Sequence, residues 1–205
     1  QEAVMYELLI LSALMVHDRT GYKLSKILEG NLEPRRQISN GVMYPMLHKL
    51  EKVGYITLET KQINGRAQKL AKITDAGLAR FEDLMHTPIA MDAKRESNFH
   101  FKFRGLGRET VGFQRDVLHA YREATDSDIA VYHKVIAHLQ SILTDPDRQI
   151  DVGWSLRGLQ LALNVAQTRL DWVNDQLHDL EGLADDAHFT TVPEIMKEYE
   201  AKDFE

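Results

Sequence analysis

The chain has 205 residues, no cysteine and a net charge of −6, enough for one large domain or two small ones. That composition excludes zinc fingers and disulfide scaffolds. No apolar run approaches the roughly 20 residues that cross a bilayer, and Glu2 and Glu7 interrupt the one apolar N-terminal stretch, so a cytoplasmic chain without a signal peptide is expected.

In chain order, a first helix is expected from Glu2 to Val16. Val4, Met5, Leu8, Leu9, Ile10, Leu11, Leu14 and Met15 leave it little polar face, so it should be buried on several sides. The surplus points to a partner subunit, with Leu8 and Leu11 among the contacts. Thr20 can cap a second helix, Gly21 to Glu29, which Gly30 ends. Pro34, Arg35 and Arg36 fall in the loop before a third helix, Ser39 to Val53.

That third helix opens on Ser39 and Asn40, buries Met43, Leu47 and Leu50, carries Pro45 inside it and stops at Gly54. Proline removes the bond to the Gly41 carbonyl, so a local kink is expected. Two strand-like runs follow, Tyr55 to Ile63 and Ala67 to Ile73. Asn64-Gly65 between them suits the positive φ angles of a tight hairpin. Thr74 should cap a fourth helix to Met85, with Asp75 at its positive end.

A boundary is expected near His86-Thr87-Pro88, and Asp92 to Arg108 reads as mixed and aromatic-rich. A helix from Thr110 to Arg122 comes next, then two long ones. Ile129, Tyr132, Ile136, Leu139 and Leu143 repeat at threes and fours. Leu156, Leu159, Leu163, Ala166, Leu170, Val173, Leu177 and Leu180 do the same for more than three heptads. Such a seam implies antiparallel helix pairing, a coiled-coil-like dimer contact, or the core of a helical hairpin. The tail beyond is acidic. The expected division is residues 1–87, a linker 88–107, a helical domain 108–182 and a tail 183–205.

Charge is unevenly spread. From Arg19 to Lys72 eleven basic residues stand against four acidic ones, a local +7 that leaves −13 for the remainder. Phosphate binding follows local charge, not the chain total. A helix with small polar groups at its leading end, followed by a basic hairpin, is how a winged helix-turn-helix reads DNA. Ser39 and Asn40 can bond phosphate or base edges, and a helix N-terminus attracts phosphate. Tyr44 and His48 share a face, with Lys49 beside it; Tyr44 could instead pack against the first helix.

No catalytic set is evident, so an enzyme is not expected. There is no Gly-rich phosphate loop, and His133 and His138 are five apart, off the spacing that a helix-borne metal site needs. Asp185, Asp186 and His188 offer at most adventitious metal binding, and no cofactor is expected.

From Leu8 to about Met85 the chain closely resembles the PadR family of bacterial transcriptional regulators. Ser39, Gly41, Tyr44, Pro45, Leu47 and Leu50 match its Ser-x-Gly-Thr-Leu-Tyr-Pro-x-Leu-x-Arg-Leu pattern; Val42 replaces threonine and Lys49 replaces arginine. Lysine keeps the charge without the planar fork, which suits phosphate better than guanine. Gly21-Tyr22 with Leu24 matches the family's opening of helix 2. Gly65-Arg66, Lys69 and Ile73-Thr74-Asp75-Ala76-Gly77 match its wing and following helix, although Ala71 stands where many members have tyrosine. The later helices are similar to the helical domain of the long, AphA-like members.

The resemblance implies a mainly α protein: an N-terminal winged helix-turn-helix with a two-stranded wing and a C-terminal all-α dimerisation domain. It implies a homodimeric repressor on double-stranded, pseudo-palindromic DNA. Ser39, Asn40, Tyr44, His48, Lys49, Arg66, Lys69, Tyr22 and Arg36 would contact DNA; Leu156, Leu159, Leu163, Leu170, Val173 and Leu177 would join the protomers. Some members bind small aromatic effectors, for which Phe99, Phe101, Phe103 and Trp154 are candidates, packing being the alternative. The rival function is a winged-helix protein-interaction adaptor without DNA binding.

Overall fold

A computed structural model describes residues 2–30, 38–63, 65–143 and 149–188. The chain divides into two compact units, Gln1–Leu106 and Gly107–Glu205. The first contains α1 (Glu2–Leu14), β1 (Arg19–Thr20), α2 (Gly21–Gly30), α3 (Asn40–Lys52), β2 (Ile56–Ile63), β3 (Arg66–Ile73), α4 (Asp75–His86) and α5 (Arg95–Gly105). It is a winged helix, and the wing is one strand richer than expected. β1 adds to the hairpin in the order β1-β3-β2, pairing Arg19 with Ala71 and Thr20 with Leu70.

The core of this unit forms around α1. Leu8, Leu9, Ile10 and Leu11 are fully buried, because α1 packs against α2, α4, α5 and β3 at once. Each such side chain contributes roughly 1.5–3 kcal/mol. Leu8 and Leu11 are therefore covered within their own unit, while Val4 and Met5 of the same helix are half-buried.

Within the segment expected as a linker, α5 packs against α1. It buries Asn98, Phe99, Phe101 and Lys102, and the Phe99 and Phe103 rings lie 6.3 Å apart. Lys102 extends its Nζ to the carbonyls of Met85 and Thr87, 2.6 Å from each. These are end carbonyls of α4, where a cation is favoured.

The hairpin is anchored at its base. Thr74 caps α4 by accepting from Gly77 N at 3.1 Å and donates its hydroxyl to the Gly54 carbonyl at 2.6 Å. Thr74 N donates to Tyr55 O. Arg80 joins α4 to Glu7 of α1 at 2.7 Å, and this pairing holds the Arg80 guanidinium above its ordinary pKa.

The second unit is a pair of long helices, α6 (Val111–Ile142) and α7 (Gln149–Asp179). Tyr121 and Trp172, similarly distant from the connection, meet ring edge to face at 6.2 Å, so the pair runs antiparallel. α6 replaces the two helices expected over Thr110–Leu143. The polar run around Thr125 resembles a cap, but the Thr125 hydroxyl donates to the Tyr121 carbonyl one turn back at 2.8 Å and the helix continues.

Ala166, Val173 and Leu180 of the α7 seam are buried, while Leu156, Leu159, Leu163, Leu170 and Leu177 are half-buried. After α7 the chain folds back on the start of α6. Val111 N and Gly112 N donate to the Ala187 and Asp185 carbonyls. Arg115 holds the Asp185 carboxylate and the Leu180 and Leu183 carbonyls. The first residues of the acidic tail thus satisfy amides that α6 leaves unpaired; residues 189–205 lie outside the described residues. Trp154 sits on α7, 76% exposed, with the Arg157 guanidinium 5.1 Å from its ring centre. Among the described residues, no helix is long and apolar enough to cross a membrane and no three His, Asp or Glu side chains form a metal site.

Candidate nucleic-acid interface

The two faces of α3 differ sharply. Met43, Leu47 and Leu50 point into the core and are almost wholly buried. Gly41, Val42, Pro45, His48, Lys49 and Lys52 are exposed, and their spacing by threes and fours puts them along one outer face. Pro45 lies within the helix. Ser39 is the N-cap residue in extended conformation; its carbonyl takes the first helical bonds from Val42 N and Met43 N. Its hydroxyl makes no capping bond, so an exposed donor-acceptor stands at the leading end.

Tyr44 is half-buried, and its ring lies over Gly21, the first residue of α2. A Cβ added at Gly21 would stand 3.2 Å from two of its ring atoms. Glycine there lets the two helices of the motif approach closely. Ser25, one turn on, donates to the Gly21 carbonyl at 3.0 Å. His48 lies within 3.3 Å of Glu51.

Tyr22, 63% exposed, carries Lys26 over its ring at 5.8 Å. Lys26 also pairs with Glu29 at 2.7 Å. Glu29 in turn accepts from Ile38 N at 3.0 Å, tying the end of α2 to the approach to α3. The Lys26 hydrogen bond first, then that of Ile38, holds the Glu29 carboxyl below its ordinary pKa.

In the wing, β2 and β3 pair in continuous register from Ile56–Ile73 to Ile63–Arg66. Gly65, at φ +75°, makes the turn, a conformation that glycine adopts at no steric cost. Lys69 lies opposite Thr60, on the face that carries Ala71 into the core; Lys72, opposite Thr57, and Lys61 are on the other face. All three are exposed, so the hairpin presents cations on both sides. Lys61 lies 3.7 Å from Glu59; among the described residues, no carboxylate pairs with Lys69, Lys72 or Lys52.

Of the sequence candidates, Ser39, Tyr44, His48 and Lys49 come together on or beside α3, Tyr22 is on α2 and Lys69 on β3. The side chains of Asn40 and Arg66, and the whole of Arg36, lie outside the described residues. Sequence reasoning passed over Val42, Pro45 and Lys52 on the same outer face. Their three- and four-residue spacing with Gly41, His48 and Lys49 was the available signal.

Residues 10–83 match the transcriptional regulator PadR-like family. No curated protein matches the chain. Among solved structures it is similar to smu.1704 of Streptococcus mutans UA159, at 34% identity over 40% of this chain and 74% of that one, TM-score 0.36. It is also similar to a PadR family transcription regulator from hypervirulent Clostridium difficile, at 26% identity over 38% and 80%, TM-score 0.35. Bacillus subtilis PadR, solved in complex with operator DNA, aligns over 85% of this chain and 97% of its own at 21% identity, TM-score 0.38. Residues 10–83 of the chain thus form a domain of the transcriptional regulator PadR-like family.

Proposed function

We propose that the chain is a sequence-specific DNA-binding regulator that acts as a homodimer in the cytoplasm and represses transcription by occluding a promoter. The observation that carries this reading is the uncovered outer face of α3 beside exposed wing lysines with no carboxylate partner among the described residues. α3 would enter the major groove with its leading end toward the base edges, and the wing would follow the phosphates beside it. Ser39, with Asn40 beside it, supplies polar contacts; Lys49, Lys52 and Lys69, with Arg66, supply charge. Leu156, Leu159, Leu163, Leu170, Val173 and Leu177 belong to the helix that would join two protomers.

Selection of bound sequences from random duplex DNA tests the reading. A single enriched motif is expected. With that duplex, exchanging Arg66 and Lys69 together for alanine should weaken binding to all sequences and flatten the salt dependence by up to ~2 in log-log slope. Asn40→Ala should instead narrow the gap between operator and random DNA. Absence of any enriched motif would leave the adaptor reading in its place.

A small aromatic effector is the finer part of the proposal. Phe99 and Phe101 are buried in their unit, so a ligand reaches Phe103 or Trp154 without repacking. Titration calorimetry with a panel of small aromatic acids should give heat that falls on Phe103→Ala or Trp154→Ala. No heat with any compound would leave Phe99, Phe101 and Phe103 as packing residues and Trp154 as an exposed ring on α7.

A further inference from the structure

The outer face of α3 changes chemistry along its length. Its trailing half presents His48, Lys49 and Lys52, while beyond the exposed Ser39 cap the described side chains on its leading half are those of Gly41, Val42 and Pro45, with no polar side-chain atom among these three. Val42 is 47% exposed on the first turn. Neither packing nor helix formation accounts for a valine there. Met43, Leu47 and Leu50 fill the core, and valine is a poorer helix former than alanine.

A major groove offers hydrogen-bonding atoms on every base pair but one apolar group, the C5-methyl of thymine. The leading residues of a recognition helix are those that meet base edges. Gly41 adds no bulk beside Val42, and Pro45, one turn on, extends the apolar strip. We propose that Val42 is a specificity-determining residue whose isopropyl group packs on a thymine methyl, so that each half-site requires a thymine at one position. This rests on the DNA-binding reading above.

The test uses the full-length protein and the duplex recovered by selection. Each thymine is replaced in turn by deoxyuridine, which removes the methyl and leaves the pairing edge intact. One position per half-site should lose about fourfold in affinity, the equivalent of one buried methyl at ~0.8 kcal/mol. Val42→Ala should bind the thymine duplex about that much more weakly and be indifferent to deoxyuridine there; Val42→Thr, which keeps one methyl, should retain part of the sensitivity. Helicity measured by circular dichroism should be unchanged in both. Tight binding to a selected motif with no response to any deoxyuridine, or a Val42→Ala protein that still responds, would overturn the proposal while leaving DNA binding intact. Failure to enrich any motif would overturn the DNA-binding reading itself, and this proposal with it.

Discussion

Gly77→Ala should destabilise the winged helix by roughly 3 kcal/mol or more, above the usual cost of overpacking. A methyl at Gly77 would stand 2.1 Å from the Tyr55 carbonyl oxygen and 2.8 Å from Ile73 Cγ1. The first neighbour is backbone and cannot swing aside. Tyr55 O is also the acceptor for Thr74 N, and the Thr74 hydroxyl holds Gly54 O at 2.6 Å. Relief would have to break the junction that joins α3, the hairpin and α4. At 4–8 °C per kcal/mol for a domain of this size, the melting transition of this unit should fall by at least ~10 °C. Gly30→Ala is the matched control, because among the described residues a methyl there meets nothing within 4 Å. Equal melting temperatures for the two variants would refute the clash.

The winged helix was legible because its local signals agree with its tertiary structure. Asn64-Gly65 marks the hairpin, Thr74 the start of α4, Gly54 the end of α3, and the Met43, Leu47, Leu50 stripe is the face that the core buries. Two elements escaped for physical reasons. β1 is two residues long, too short for any periodicity, and exists because β3 offers it an edge. In α5 the visible signal, Phe99, Phe101 and Phe103, alternates as in a strand. Its buried face includes Asn98, Phe101, Lys102 and Gly105, which has helical spacing but is half polar. Lysine is buried there because the end of α4 supplies two carbonyls, a tertiary partner that no local pattern displays.

The candidate interface was legible in its polar residues and less so in its geometry. Ser39, His48 and Lys49 are exposed as the pattern implied. Tyr44 packs on Gly21, a contact that depends on the crossing of α2 and α3. Val42 drew attention only as a departure from the family motif. Its significance comes from lying on a face that the described residues of its own unit leave exposed.

Leu161→Glu should convert a homodimer into a folded monomer that no longer holds full operator tightly, and here the structure sharpens the sequence argument. The leucine seam is partly consumed by α6: Ala166, Val173 and Leu180 are buried in the single chain. A second apolar line remains open on α7, formed by Trp154, Leu161, Val165 and Trp172, whose exposures are 76%, 65%, 42% and 41%. Separations of seven, four and seven residues place them on one stripe. A tryptophan carries roughly 150–250 Å² of buriable surface; most of Trp154 and the exposed part of Trp172, which already meets Tyr121, would contribute to the ~800 Å² per partner that a stable interface needs. In such a dimer two winged helices would bind half-sites about one helical turn, ~34 Å, apart. The stripe also separates assembly from folding. A charge at half-buried Leu163 or Leu170 should unfold the α6–α7 pair along with any dimer, whereas Leu161→Glu should leave its helicity and melting intact. Sedimentation at micromolar concentration should give twice the chain mass for the native protein and the chain mass for Leu161→Glu, with full-operator affinity lower by tenfold or more. A native protein that sediments as a monomer, or a Leu161→Glu protein that remains dimeric, would remove α7 from the assembly.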